Sequence, residues 1–229
     1  MPSLNEVMTV LRAAADPSAL SGMTHFAIET EGRLGISIYD LRRIAKSIPP
    51  SHPLALDLWE TRVQEARLLA SMIDVPSEAT EAQLERWVLD FNSWDICDQV
   101  CDNLIQHTPF AWQKITEWHT REGEFVKRAA YALIACKAWH DKAAADGQFI
   151  ALFPILKAGA ADPRNFVRKA VNWAIRNIGK RSLALNQAAI AFSEELLLMD
   201  DKTARWTARD ALKEMQSEKM QARLKAQVK

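Results

Sequence analysis

The feature that most restricts what this chain can fold into is a recurrence in its second half. A helical stretch at 110–120 leads to EFVKRAAYALIACKAW at 124–139, one at 148–158 leads to NFVRKAVNWAIRNIGK at 165–180, and one at 186–199 leads to TARWTARDALKEMQ at 203–216. Setting FVKRA against FVRKA places Arg128 opposite Lys169, 41 residues apart, and Arg209 follows 40 residues later. A period near 40 with two helices per unit is the signature of HEAT-like repeats, which stack because no single pair can bury its own apolar face. With only 7 Gly and 9 Pro to interrupt the helical periodicity, the expected fold is all-α: a curved solenoid of HEAT-like antiparallel helix pairs with the second helices along a concave face. We expect a single domain over 1–229, with N-terminal helices to about residue 50, repeats over 51–216 and a charged C-terminal tail at 217–229.

The first half is less regular but punctuated by helix signals. Residues 3–15 read as an amphipathic helix stopped at Asp16-Pro17, and 22–28 as a short apolar helical piece. Leu34-Gly35-Ile36-Ser37 reads as a loop, Ser37 capping the helix IYDLRRIAKSI with Arg42 and Arg43 on its polar face. Helices near 53–60 and 61–73 follow, and Thr80-Glu81-Ala82-Gln83 is a capping box opening a helix over 81–90.

The stretch 91–104, FNSWDICDQVCDNL, carries the most suggestive chemistry. On a helical wheel Ile96, Cys97, Val100, Cys101, Leu104 and Ile105 form one apolar stripe, with Trp94, Asp98 and Asp102 along its margin. An aromatic face and a carboxylate thus stand side by side. The chain is electrically neutral, yet 54–108 holds eleven acids against three bases and 121–181 twelve bases against five acids. Such a split can orient a polyanion. In 165–178 Lys169, Asn172 and Arg176 line the polar face with Trp173 at its border, Arg168 and Lys180 adding further bases, and the equivalent border in 124–136 carries Lys127, Arg128 and Tyr131. If the second helices line one wall, Asp98, Arg128, Lys169 and Arg209 form a ladder with Trp94 and Trp173 beside it, a surface suited to tracking phosphates.

Other chemistries find little support. The three cysteines are too few for a disulfide framework and imply a reducing compartment. No apolar run reaches the roughly 18 residues that span a bilayer. No histidine stands at ligand spacing from Cys97 and Cys101, and no phosphate-loop or dinucleotide motif occurs. A cytoplasmic monomer without metal or cofactor is expected. Trp59, Trp87, Trp112, Trp118, Trp139 and Trp206 fall where inter-repeat packing would place them.

WDICD on a helix, FVKRAA about 30 residues on and KAVNWAIR about 40 beyond resemble the AlkD-type family of HEAT-like DNA alkylation repair proteins. The segment GMTHFAIETEGRLGISIYDLRRIAK is similar to theirs as well, so the resemblance spans nearly the whole chain. It implies a solenoid that clasps duplex DNA, associated with the nucleoid when bound, and excision of cationic N3- and N7-alkylated purines in base excision repair. Motif by motif it assigns the catalytic aspartate to Asp98, the groove tryptophans to Trp94 and Trp173 and the essential arginine to Arg128. DNA contacts would come from Lys127, Arg168, Lys169, Arg176, Lys180, Arg209, Arg42 and Arg43. The family carries a second aromatic before the motif tryptophan, where this chain has Ser93. A non-catalytic protein binding damaged or branched DNA, and a protein-interaction scaffold, are the alternative readings.

Overall fold

The computed structural model describes residues 1–226, and its contacts divide them into two compact units that meet in sequence at Ala111–Trp112. The charged stretch expected as a tail at 217–229 is helical over Glu218–Ala226, with Met220 and Leu224 buried, and its last three residues lie outside those described.

In the first unit, α1 (Leu4–Ala13) is opened by a capping box between Ser3 and Glu6. The short α2 (Leu20–His25) is followed by an irregular loop to Ser37, whose hydroxyl accepts from the Asp40 amide to start α3 (Ile38–Lys46). Ser51 caps α4 (His52–Glu60). Helix α5 (Gln64–Ile73) begins later than its apolar periodicity suggests, because Arg62 takes a left-handed φ of 60° and Val63 is extended. The Thr80–Gln83 box opens α6 (Glu81–Leu89), and α7 (Trp94–Asn103) completes the unit. Its core includes a face-to-face stack of Trp59 and Trp87, with centroids 3.9 Å apart and planes 3° from parallel. The Arg67 guanidinium lies 5.0 Å over Trp59. Asp90 closes the group, accepting from the Trp59 indole at 2.8 Å and from Arg67 at 2.9 Å. Buried ring area supplies the stabilisation, and the carboxylate satisfies the polar atoms that come with it.

The second unit contains α8 (Ala111–Trp118), α9 (Glu124–His140), α10 (Asp146–Ile150), α11 (Phe153–Ala160), α12 (Asn165–Gly179), α13 (Leu183–Leu197), α14 (Lys202–Met215) and α15 (Glu218–Ala226). The helix expected over 148–158 is split at Ala151–Leu152, with Pro154 in the first turn of its second piece. Helix α12 packs against both α9 and α14, so the second helices of successive pairs lie side by side, while α11 and α13 form the companion row. This is the HEAT-like arrangement that the 40-residue period anticipates. Ala129, Ala130, Ala132, Ala170 and Ala174 are fully buried and keep the helices close.

Side-chain-to-backbone bonds tie the second helices to one another. Asn177 donates to the Ala135 carbonyl of α9 at 3.1 Å, and Asn172 to the Thr207 carbonyl of α14 at 3.1 Å. Arg181 reaches the Ala138 carbonyl at 3.3 Å, and Arg223, forty-two positions on, reaches the Lys180 carbonyl at 2.7 Å. Each of these arginines satisfies a carbonyl at the C-terminal end of the preceding second helix, where the helix itself provides no donor.

Trp59, Trp87 and Trp118 are buried as expected. Trp139 and Trp206 depart from the core expectation, with 49% and 37% of their surface exposed. Each ring is covered by a cation, Trp206 by Arg168 and Trp139 by Lys142, and not by core side chains, which a repeat-register argument cannot foresee.

The tightest approach lies at Gly159 of α11, where an added Cβ would stand 2.2 Å from the hydroxyl of the buried Tyr131. Gly159→Ala is expected to cost about 1–3 kcal/mol in denaturant unfolding. Gly147→Ala, which meets no atom within 4 Å, is expected to be neutral or slightly stabilising.

Candidate functional site

The apolar stripe of α7 is buried as its sequence dictates: Ile96, Cys97, Val100, Cys101 and Leu104 are inaccessible. The margin residues Trp94 and Asp98 are half-buried, one helical turn apart on the same edge. Trp94 is therefore neither core nor a free surface ring, and its indole N–H donates to the Phe26 carbonyl at 3.0 Å. Arg42 of α3, which is exposed, comes within 3.5 Å of Gln99 on this helix. Arg43 pairs with Asp40 at 2.9 Å and is open to solvent.

Sequence reasoning missed what holds this edge in place. Asp95, in the first turn of α7, accepts two hydrogen bonds from one nitrogen of Arg33, at 2.7 and 2.8 Å. The Arg33 side chain is 2% exposed and that of Asp95 16%. Ser93, buried at the N-cap, also donates to Asp95. Arg33 belongs to an irregular loop, where no periodicity marks a residue for burial. Only the acid in a helix's first turn was a visible signal.

In the second unit, the sequence-selected cations divide by what they touch. Arg128 is 6% exposed and donates to the Phe166 carbonyl at 2.5 Å, so one edge of its guanidinium is held inside the unit instead of standing open as a phosphate clamp would. Lys127 lies 3.6 Å from Asp162. Arg168 stacks over Trp206 with its guanidinium carbon 4.8 Å from the ring centre. Arg176 is bonded to Glu214 and lies 3.7 Å from Asp210, and Lys180 pairs with Glu214 at 2.7 Å. Lys169 and Arg209 are exposed, and Trp173 is half-buried one turn from Lys169. The α12 edge thus acts partly as an interhelical ladder onto α14. Neither the acids at 210 and 214 nor their partners could be paired from a single-helix wheel.

Burial acts to raise the Glu214 carboxyl, but hydrogen bonds from Lys180 and Arg176 outweigh it and hold the group below the usual glutamate range. Among the described residues no group of three or more His, Cys, Asp and Glu side chains could hold a metal ion, and no helix is long and apolar enough to cross a membrane.

A side-by-side row of second helices, a Trp–Asp edge on α7 and a basic border on α12 and α14 define the class: an all-α HEAT-like repeat protein. The family described as "DNA alkylation repair enzyme" matches residues 7–215, and the chain belongs to that family. A solved structure from "a new family of proteins related to the HEAT-like repeat DNA glycosylases with affinity for branched DNA structures" is similar over 93% of this chain and 95% of that one, with a TM-score of 0.76 at 18% identity. A designed armadillo repeat protein is 17% identical over 76% of this chain and 91% of its own, with a TM-score of 0.34. No curated protein matches the sequence.

Because its folded pKa is depressed, Glu214 contributes stability that is complete above its unfolded pKa and is lost as pH falls through the folded value. The stability difference between wild type and Glu214→Gln is therefore expected to shrink as pH is lowered below about 4. With partners this exposed it should amount to roughly 1 kcal/mol or less at neutral pH. Urea unfolding at pH 7 and pH 3 checks this.

Proposed function

We propose that the protein is a DNA glycosylase that releases cationic N3- and N7-alkylated purines from duplex DNA, with Asp98 as its central group. The observation that carries this reading is the pairing of a half-buried, hydrogen-bonded Trp94 with Asp98 one turn along the same helix edge, in a chain of the DNA alkylation repair family.

An alkylated purine with a formal positive charge is already a good leaving group, so its glycosidic bond opens toward an oxocarbenium-like sugar without a strong general acid. What the enzyme must supply is negative charge beside C1′ and an oriented water. Asp98 serves as that electrostatic partner and accepts a proton from the water as it attacks, while the departing base takes the bond's electron pair and becomes neutral. A tryptophan face beside the carboxylate favours a cationic sugar, the role proposed for Trp94. Arg128 acts from within the second unit, ordering the start of α12 through the Phe166 carbonyl. Lys169, Arg209, Arg42 and Arg43 are exposed and suited to phosphates. The chemistry calls for neither metal nor cofactor, and one chain suffices.

A second reading is structure-directed DNA binding without excision: the similar solved protein has affinity for branched DNA, and Arg128, Arg176 and Lys180 already engage intramolecular partners. Base release separates the two. With duplex carrying N7-methylguanine or N3-methyladenine, wild type is expected to liberate free base, and Asp98→Asn to bind the duplex normally while losing release by roughly two orders of magnitude or more. Binding without release in wild type would establish the second reading.

The acid partners make one more prediction. Glu214→Gln releases Lys180 and leaves Arg176 only Asp210 among its acid partners, at 3.7 Å, so duplex affinity should rise and the slope of log K against log salt should steepen by about one, measured by fluorescence anisotropy between roughly 50 and 200 mM salt.

A further inference from the structure

The loop between α2 and α3 is built like a clamp and acts on the same edge of α7. We infer that Arg33 is a positioning residue: through its bonds to Asp95, and with the Phe26 carbonyl, it fixes the first turn of α7 and the orientation of the Trp94 ring. The functional half of this inference rests on the glycosylase reading, whereas the structural half stands on its own.

The loop is held at every turn. The fully buried carboxylate of Glu65 on α5 accepts the backbone amides of Leu34 and Gly35, each at 2.9 Å, and that of Ile36 at 3.4 Å. A buried carboxylate satisfied by three amides is a strong local constraint, since removing it would leave those donors unpaired. The Asp16 amide donates to the Leu34 carbonyl at 2.9 Å and the Gln64 amide to the Gly32 carbonyl at 3.1 Å. Gly35 takes a φ of 81°, and a side chain there would put Cβ 2.0 Å from the Asp16 carbonyl oxygen. From this fixed loop Arg33 reaches across to Asp95, and its Nε donates to the Glu29 carbonyl. Farther up the same loop, the Phe26 carbonyl takes the Trp94 indole proton, with Ala27 next to it in the left-handed region at φ 54°.

Trp94 and Asp95 are neighbours in sequence, so the helix start is held from two sides by one loop. Rotation of the indole would break its bond to Phe26, and a shift of the first turn would break the paired bonds to Arg33. A residue one turn away from Asp98 whose ring plane is set this way gives a preorganised wall, and displacements near 1 Å at such a site are worth roughly a hundredfold in rate.

The test uses Arg33→Lys, which keeps the charge but not the guanidinium geometry, beside Asp95→Asn, with circular dichroism confirming that both fold. The direct readout is hydrogen exchange of the Trp94 indole proton, its resonance assigned with Trp94→Phe. Exchange is expected to speed up at least about tenfold in both variants, while the Trp59 indole, bonded to Asp90, keeps its wild-type rate. In single-turnover release of alkylated base, both variants are expected to lose roughly ten- to hundredfold in rate with duplex affinity within about twofold of wild type. Unchanged Trp94 exchange in folded Arg33→Lys would overturn the positioning role, and so would faster exchange accompanied by unchanged single-turnover release. If wild type itself releases no base, the glycosylase reading fails, and the exchange rates alone decide whether Arg33 holds Trp94.

Discussion

The rest of the second unit depends on the close contact between α12 and its two neighbours. Its apolar stripe can be buried only because a preceding and a following second helix present small residues to it, and Gly159 and Gly179 stand where any side chain would strike Tyr131 or Met215. Close packing has a polar counterpart. Asn177 and Asn172 reach carbonyls of the neighbouring second helices, and Arg181 and Arg223, 42 positions apart, reach carbonyls at the ends of α9 and α12. Fold and surface charge are therefore not independent, since some of the basic residues that make the unit electropositive also hold its helices together.

That coupling separates what the sequence discloses from what it hides. Helix existence and type were legible from periodicity and caps, as with Ser37, the Thr80–Gln83 box and the stripe of α7. Boundaries slipped where the backbone turns against the pattern: Arg62 with its positive φ delays α5, and the 148–158 helix breaks in two. Trp139 and Trp206 were misplaced because an aromatic at a helical register says which element it rides on, not which side is covered. The charged stretch after Ser217 hid a helix because its buried positions, Met220 and Leu224, are too few to outweigh its lysines and arginines.

Within the candidate site, the residues with a helical address were easy to find and those with a loop address were not. Trp94 and Asp98 declare themselves by spacing on one helix. Arg33, Asp95 and Glu65 become meaningful only once tertiary contacts bring residues 30 to 62 positions apart together. The basic ladder teaches the converse: Arg176 and Lys180 look like phosphate contacts on a wheel, but acids on α14 occupy them. Membership of a DNA alkylation repair family fits a chain that keeps Arg42, Arg43, Lys169 and Arg209 exposed and whose Trp–Asp edge is anchored through the Phe26 carbonyl.

The most direct test of the account is whether the protein recognises developing positive charge on the sugar through Asp98. Duplex DNA carrying a cationic azasugar in place of one deoxyribose can be compared, by competition binding, with the same duplex carrying a neutral tetrahydrofuran abasic site. The account predicts that wild type prefers the cation by roughly a hundredfold or more and that Asp98→Asn abolishes the preference without weakening binding to the neutral duplex. Equal affinity of wild type for the two duplexes would contradict it.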